Sequence, residues 1–155
     1  MQQANDKLFN LRHSLAHVMA AAVTEMFPKA QLGVGPVIEN GFYYDFELPR
    51  PLTPDDIKKI EKRMRELVKQ GLAFDRELLT IPEAKKLFTD MDQKFKLELL
   101  KDLEKYGTTK AAEIAQADES LAQDLDLADK TGEISIYRTG KFLDLCRGPH
   151  VKSTK

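Results

Sequence analysis

The sequence predicts an α+β fold: antiparallel β-hairpins packed with helices around a long central helix. Three observations carry this. Apolar residues recur at helical spacing through Leu11–Phe27 and again through 53–70, and short apolar runs flank both Asn40-Gly41 and Arg138-Thr139-Gly140-Lys141. At 155 residues, 42% hydrophobic and 32% charged, the chain has the make-up of one globular domain large enough to bury a core. A net charge of −1 excludes a strongly basic nucleic-acid binder, so any RNA contact has to be local or supplied by something attached. The single cysteine excludes an internal disulfide. Residues 1–10 lack a basic-then-apolar signal pattern, and no apolar run approaches membrane-spanning length. The expectation is a cytoplasmic chain with no membrane partner, residues 1–10 leading into one domain over 11–155.

Leu8, Leu11, Leu15, Met19, Ala22 and Met26 mark one face of the first helix, which Pro28 ends. His13 and His17 fall about 40° apart on the opposite side, beside Ala20 and Thr24. A second face of His, His, Ala and Thr predicts cover on both sides, as in the wall of a site. Next, Val37-Ile38-Glu39 and Phe42-Tyr43-Tyr44 flank Asn40-Gly41, which predicts a two-residue hairpin turn with positive φ at both central positions. Phe42 and Tyr44 share one strand face, Tyr43 and Asp45 the other. Gly33-Val34-Gly35-Pro36 lets backbone approach a neighbour closely, and reads as a plain turn rather than a phosphate loop.

The helix over 53–70 has Thr53 as N-cap, Pro54 at its first position, Asp55 and Asp56 at its positive end and Gly71 after its last turn. Ile57, Ile60, Met64, Leu67 and Val68 form its expected buried stripe. Lys58, Lys59, Lys62, Arg63, Arg65 and Lys69 form the other side, read as a solvated face over an RNA-backbone contact. A strand is expected over Phe74–Ile81, a short helix over Pro82–Thr89 and another over Phe95–Tyr106. A peripheral helical excursion is expected at 108–130. The last hairpin, Glu133–Tyr137 with Phe142–Cys146, puts Phe142, Asp144 and Cys146 on one face and Leu143 and Leu145 on the other.

All three histidines and the one cysteine fall into two i,i+4 pairs, His13/His17 and Cys146/His150. The helix aims the first pair one way, and a Gly148-Pro149 turn bends His150 back beside Cys146. Three chemistries fit four such residues converging on one point. One is a tetrahedral zinc site. Another is metal-free hydrolysis, with a histidine activating water and a lysine or backbone group stabilising an oxyanion. The third is a core in which each histidine is satisfied and Cys146 is a small hydrophobe. Nothing marks Cys146 as a thiolate nucleophile.

Three motifs carry a resemblance. His13-Ser14-Leu15-Ala16-His17, the run Gly35-Pro36-Val37-Ile38-Glu39-Asn40-Gly41-Phe42-Tyr43-Tyr44-Asp45, and Asp144-Leu145-Cys146-Arg147-Gly148-Pro149-His150 resemble the editing domain of bacterial threonyl-tRNA synthetases. The resemblance runs from Leu11 to Val151. Alanyl-tRNA synthetase editing domains and their free-standing homologues share the HxxxH/CxxxH pattern, and the run from Gly35 to Asp45 favours the threonyl branch. The resemblance implies a deacylase that hydrolyses Ser-tRNA(Thr), with the serine-bearing tRNA(Thr) 3′ end and the synthetase's catalytic and anticodon-binding domains as partners. It implies catalytic roles for His13, His17, Cys146 and His150, with Lys96 positioning water. Tyr44 and Asp144 become pocket residues, and the Gly35 backbone lies near the substrate.

A first-turn position for His13 would put it near the positive end of the helix dipole, favouring a neutral imidazole. The threonyl branch implies no obligatory cofactor. The alanyl relatives, which bind zinc, imply as the rival a zinc-dependent trans-editing deacylase with the metal on His13, His17, Cys146 and His150. A catalytically silent tRNA- or metal-binding module is the other rival. Two features depart from the family pattern. Thr108–Lys130 is longer than the family's usual connection, and no ubiquitin-like, class II catalytic or anticodon-binding region lies in these residues. The stretch is therefore not expected to activate threonine or use ATP.

Overall fold

The computed structural model describes residues 2–106 and 132–155, so the excursion expected at 108–130 lies outside the described residues. The order of elements is α1 (Gln2–Met26), β1 (Gln31–Leu32), β2 (Val37–Ile38), β3 (Gly41–Phe42), β4 (Phe46–Glu47), α2 (Pro54–Gln70), β5 (Asp75–Leu79), α3 (Ile81–Asp90), α4 (Lys94–Tyr106), β6 (Ile134–Thr139) and β7 (Phe142–Leu145). The fold is α+β. A three-stranded antiparallel sheet runs β5-β6-β7, and two short antiparallel ladders pair β1 with β4 and β2 with β3. None of the described helices is long and apolar enough to cross a membrane.

Alternation in β6 and β7 divides the molecule into two layers. Ile134, Ile136, Leu143 and Leu145 face Ala84, Phe88, Leu100 and Leu103 of α3 and α4 in one core. The opposite face carries Ser135, Tyr137, Asp144 and Cys146 toward α1. A second core joins Ala16, Ala20, Val23 and Phe27 of α1 to Ile60 and Leu67 of α2, with Tyr44 and Phe142. Small residues on α1 let its backbone approach closely, which brings the two histidines against the sheet.

Local chemistry sets the helix ends. Thr53 and Asp56 form a reciprocal capping box, Arg50 clamps Asp56 through two bonds of 2.6 and 3.1 Å, and Gly71 closes α2 at φ 64°. Thr80 and Glu83 cap α3 in the same way. Gln93 ties α4 to β1, accepting from Leu32 N at 2.9 Å and donating to Ala30 O at 3.0 Å. Gln31 returns the link by accepting from Lys94 N at 2.9 Å. These bonds fix where Lys96, one turn into α4, emerges.

The structure corrects several expectations. Helix α1 begins at Gln2, so the residues read as a lead-in are its first turns and His13 lies well inside it. The dipole argument for a neutral His13 therefore lapses, because the field of a helix end fades within the first turn. The apolar stripe on α1 is bare at its start, with Leu8 44% and Leu11 47% exposed. From His13 to Val23 only Leu15 and Met19 are less than buried, so cover on both sides is what the structure has. Ile57, in the first turn of α2, is 56% exposed, so the buried apolar stripe starts one turn later at Ile60. In the β2–β3 hairpin Val37 pairs with Phe42 and Ile38 with Gly41, which moves the turn to Glu39-Asn40. Neither Asn40 nor Gly41 takes a positive φ. The face assignment holds: Tyr44 is buried, Phe42 packs on the core and Tyr43 is exposed.

Candidate active site

Both ends of the chain meet at one point. The ligand-type atoms of His13, His17, Cys146 and His150 all lie within 4.8 Å of one another. Cys146 Sγ is 3.3 Å from His13 Nε2 and 3.3 Å from His150 Nε2, and Gly148 N–H donates to the same sulfur at 3.3 Å. Gly148, at φ 81°, also lets the turn pass the Tyr137 hydroxyl, which a Cβ there would meet at 2.3 Å. Phe74 stacks on the His150 ring at 5.0 Å, and Tyr137 meets its edge at 4.5 Å. Sequence reasoning missed both aromatics. Alternation along β6 could have found Tyr137, since it puts that ring on the Asp144 and Cys146 side of the sheet.

The second half of the site is a buried ion pair. Lys96 is 2% exposed, and its Nζ lies 2.7 Å from Asp144 Oδ1 and donates to Gly33 O at 2.7 Å. Tyr44 donates to Asp144 Oδ2 at 2.5 Å and stands 3.4 Å from Lys96 Nζ. His17 Nε2 is 3.8 Å from Asp144 Oδ2, which links the two halves, while His17 Nδ1 is buried with no hydrogen-bond partner among the described residues. A cavity of about 30 Å³, lined by residues of both halves and by Gly35 and Pro36, has room for one or two waters. Gly35 admits the Tyr44 ring: a Cβ at Gly35 would lie 2.2 Å from it. The close approach expected of the Gly33–Pro36 turn is thus to an internal aromatic.

Burial, then the neighbouring His13 and Lys96 charges, holds His17 well below the ordinary imidazole range. Burial, then His17 and His13, does the same to His150. Burial and the adjacent Asp144 push the Tyr44 phenol well up. His13 owes its tautomer to geometry. Its Nδ1 lies 3.1 Å from Pro149 O, and a carbonyl only accepts, so Nδ1 carries a proton and neutral His13 turns its Nε2 lone pair toward Cys146. Below about pH 6.5 the unfolded chain's histidines take up protons that buried His17 and His150 refuse. The unfolded state then binds more protons, so stability falls with pH by up to about 1.4 kcal/mol per unit for each histidine. Urea midpoints between pH 7.5 and 4.5, in chelator, are expected to follow that fall, and less steeply in His150→Gln. An equally steep fall in that variant would assign the slope to other groups.

By donor type and spacing the four residues fit zinc. One of the imidazoles, His13, also has an outer acceptor of the kind that orients metal-bound histidines, the Pro149 carbonyl 3.1 Å from its Nδ1. On α2, three of the six basic residues pair with carboxylates: Lys59 with Asp55, Arg65 with Glu61, and Arg63 with Glu25 and Glu66. That pattern is a solvated, salt-bridged face.

The family described as the second additional domain of threonyl and alanyl tRNA synthetases matches residues 134–155, which include Asp144, Cys146 and His150. A threonine–tRNA ligase of Dehalococcoides mccartyi is 49% identical over 144 residues, 93% of this chain and 20% of that protein. These residues are homologous to one segment of the threonine–tRNA ligases. Other relatives so named include one from Thermobifida fusca, 47% identical over 152 residues, 94% of this chain and 21% of that protein. One from Marinobacter nauticus is 46% identical over 144 residues, 93% of this chain and 19% of that protein. The chain spans about a fifth of the length of these threonyl-tRNA synthetase relatives.

Proposed function

We propose that this segment is the editing deacylase of a cytoplasmic threonyl-tRNA synthetase, hydrolysing the ester of serine mischarged on tRNA(Thr). The observation that carries the reading is one pocket holding two chemistries. A histidine lone pair sits beside Cys146, and a buried Lys96–Asp144–Tyr44 network lies across a water-sized cavity. The need is physical. Serine lacks one methyl of threonine, and a binding pocket gains only about 1–3 kcal/mol from a methylene-sized difference. A second, smaller pocket supplies the rest of the discrimination by admitting the serine ester and rejecting threonine.

In this reading the Asp144 carboxylate receives the seryl α-ammonium, competing with Lys96 for it, and Tyr44 meets the seryl hydroxyl. His13 Nε2 takes a proton from water, and the water oxygen attacks the ester carbonyl. Lys96 positions that water and faces the negative charge that develops on the carbonyl oxygen. The bond to the tRNA ribose oxygen then breaks, the proton passes to that oxygen, and free serine leaves. The remaining synthetase domains and the tRNA(Thr) 3′ end are the partners, and with a net charge of −1 the segment holds tRNA weakly by itself. The zinc reading rests on the four-donor cluster: His13, His17, Cys146 and His150 would hold the ion, which would supply a Lewis acid for the ester carbonyl.

Deacylation of Ser-tRNA(Thr) against Thr-tRNA(Thr) tests the proposal. The expected result is serine-selective hydrolysis that survives chelation. Equal rates on the two esters would overturn the editing reading. Stoichiometric zinc in protein purified without chelator, with activity lost on its removal, would favour the metal-dependent one.

A further inference from the structure

Ser14 lies between the two ends of the chain and has no role in the mechanism above. It is 2% exposed, accepts from Val151 N–H at 3.0 Å, and its Oγ is 3.0 Å from His150 Nδ1. We propose that Ser14 is a positioning residue that sets the tautomer of His150 and so gives the hydrogen bonds through Cys146 a single direction. A hydroxyl has one proton to give and two lone pairs to receive with. Val151 N–H occupies one lone pair. Were His150 Nδ1 also protonated, Ser14 would receive twice and its own proton would be buried without an acceptor. With Nδ1 as the acceptor, every group is satisfied.

His150 therefore carries its proton on Nε2, which faces Cys146 Sγ at 3.3 Å. At the same sulfur, the Pro149 carbonyl makes His13 the opposite tautomer, with its lone pair toward Sγ at 3.3 Å. The bonds run one way: Ser14 O–H to His150 Nδ1, His150 Nε2–H to sulfur, S–H to His13 Nε2. The Gly148 N–H adds a second donor on the sulfur. Two histidines at equal distance from one thiol are thus made unequal. His13 is the one able to accept a proton, and His150 is a donor for as long as Ser14 holds it.

The kinetic part of this inference rests on the deacylase reading, whereas the tautomer does not. The test is long-range proton–nitrogen correlation NMR of the whole chain, nitrogen-labelled and in chelator, with the His150 signals assigned from His150→Gln. Wild type is expected to show His150 protonated at Nε2. Ser14→Thr keeps that form. Ser14→Val, which matches threonine in volume but lacks the hydroxyl, moves the two ring-nitrogen shifts toward each other as the tautomers mix. Ser14→Ala does the same should β-branched residues fail to fold there. Hydrolysis of Ser-tRNA(Thr) falls about five- to tenfold in Ser14→Val and Ser14→Ala, the effect of one hydrogen bond, and is retained in Ser14→Thr. A wild-type His150 protonated at Nδ1, or a tautomer unchanged in folded Ser14→Val or Ser14→Ala, overturns the proposal. A tautomer that responds as stated in a protein inert toward the seryl ester would instead sink the deacylase reading and leave Ser14 its role.

Discussion

Asp144→Ala is expected to lower stability by about 3–5 kcal/mol, the cost of leaving one member of a buried ion pair unpaired. Lys96 would keep the Gly33 carbonyl at 2.7 Å but lose the carboxylate at 2.7 Å, and almost no water reaches it. Lys96→Met should be costly for the converse reason, although Tyr44 still donates to Asp144. The double variant Lys96→Met/Asp144→Leu separates stability from chemistry. Replacing a buried pair by apolar side chains of similar volume is often close to neutral, so the double variant should be more stable than either single one while hydrolysing no seryl ester. Urea unfolding of wild type, Lys96→Met, Asp144→Leu and the double variant measures the coupling. A loss below about 1 kcal/mol in Asp144→Ala would mean that the pair is solvated and that Lys96 is not held by charge.

His13→Ala is expected to cut hydrolysis of Ser-tRNA(Thr) by about 10²–10⁴, the usual contribution of a general base. His13→Asn keeps an amide able to donate to the Pro149 carbonyl but has no basic nitrogen, so it should lose as much activity while retaining more stability than His13→Ala. Single-turnover deacylation with saturating protein, beside urea midpoints, reads both. If His13→Asn retains wild-type activity, the lone pair beside Cys146 is not the base.

Much of the architecture was legible because local signals agreed with the fold. Thr53, Pro54, Asp56 and Gly71 mark α2 to within a residue, and alternation assigned Leu143 and Leu145 to one layer and Asp144 and Cys146 to the other. The convergence of His13, His17, Cys146 and His150 was legible from spacing and scarcity together. Lys96 was reached by resemblance alone. Its burial depends on Gln93 and Gln31 stitching α4 to β1 more than sixty residues away, and no local pattern reports such a contact. Helix α1 was read too short because Asn5, Asp6 and Asn10 are poor helix formers, while continuation of the helix to Met26 carries them. Ser14 was overlooked because a serine between two histidines looks like filler until Val151 and His150 are seen on either side of it.

The distances along the chain have a kinetic meaning. The bonds that define the site join His13 to Pro149 and Ser14 to His150, each 136 residues apart in sequence, and β5 finds its only strand partner among the described residues in β6. Such contacts bring no return until long loops have closed, so folding is expected to be slow for a domain of this size. A growing polypeptide would carry α1 and its histidines well before Cys146 exists to meet them. Competence therefore arrives in one step when the final hairpin docks, and a chain stopped short of Ile134 would present exposed apolar helix faces in place of a partial site.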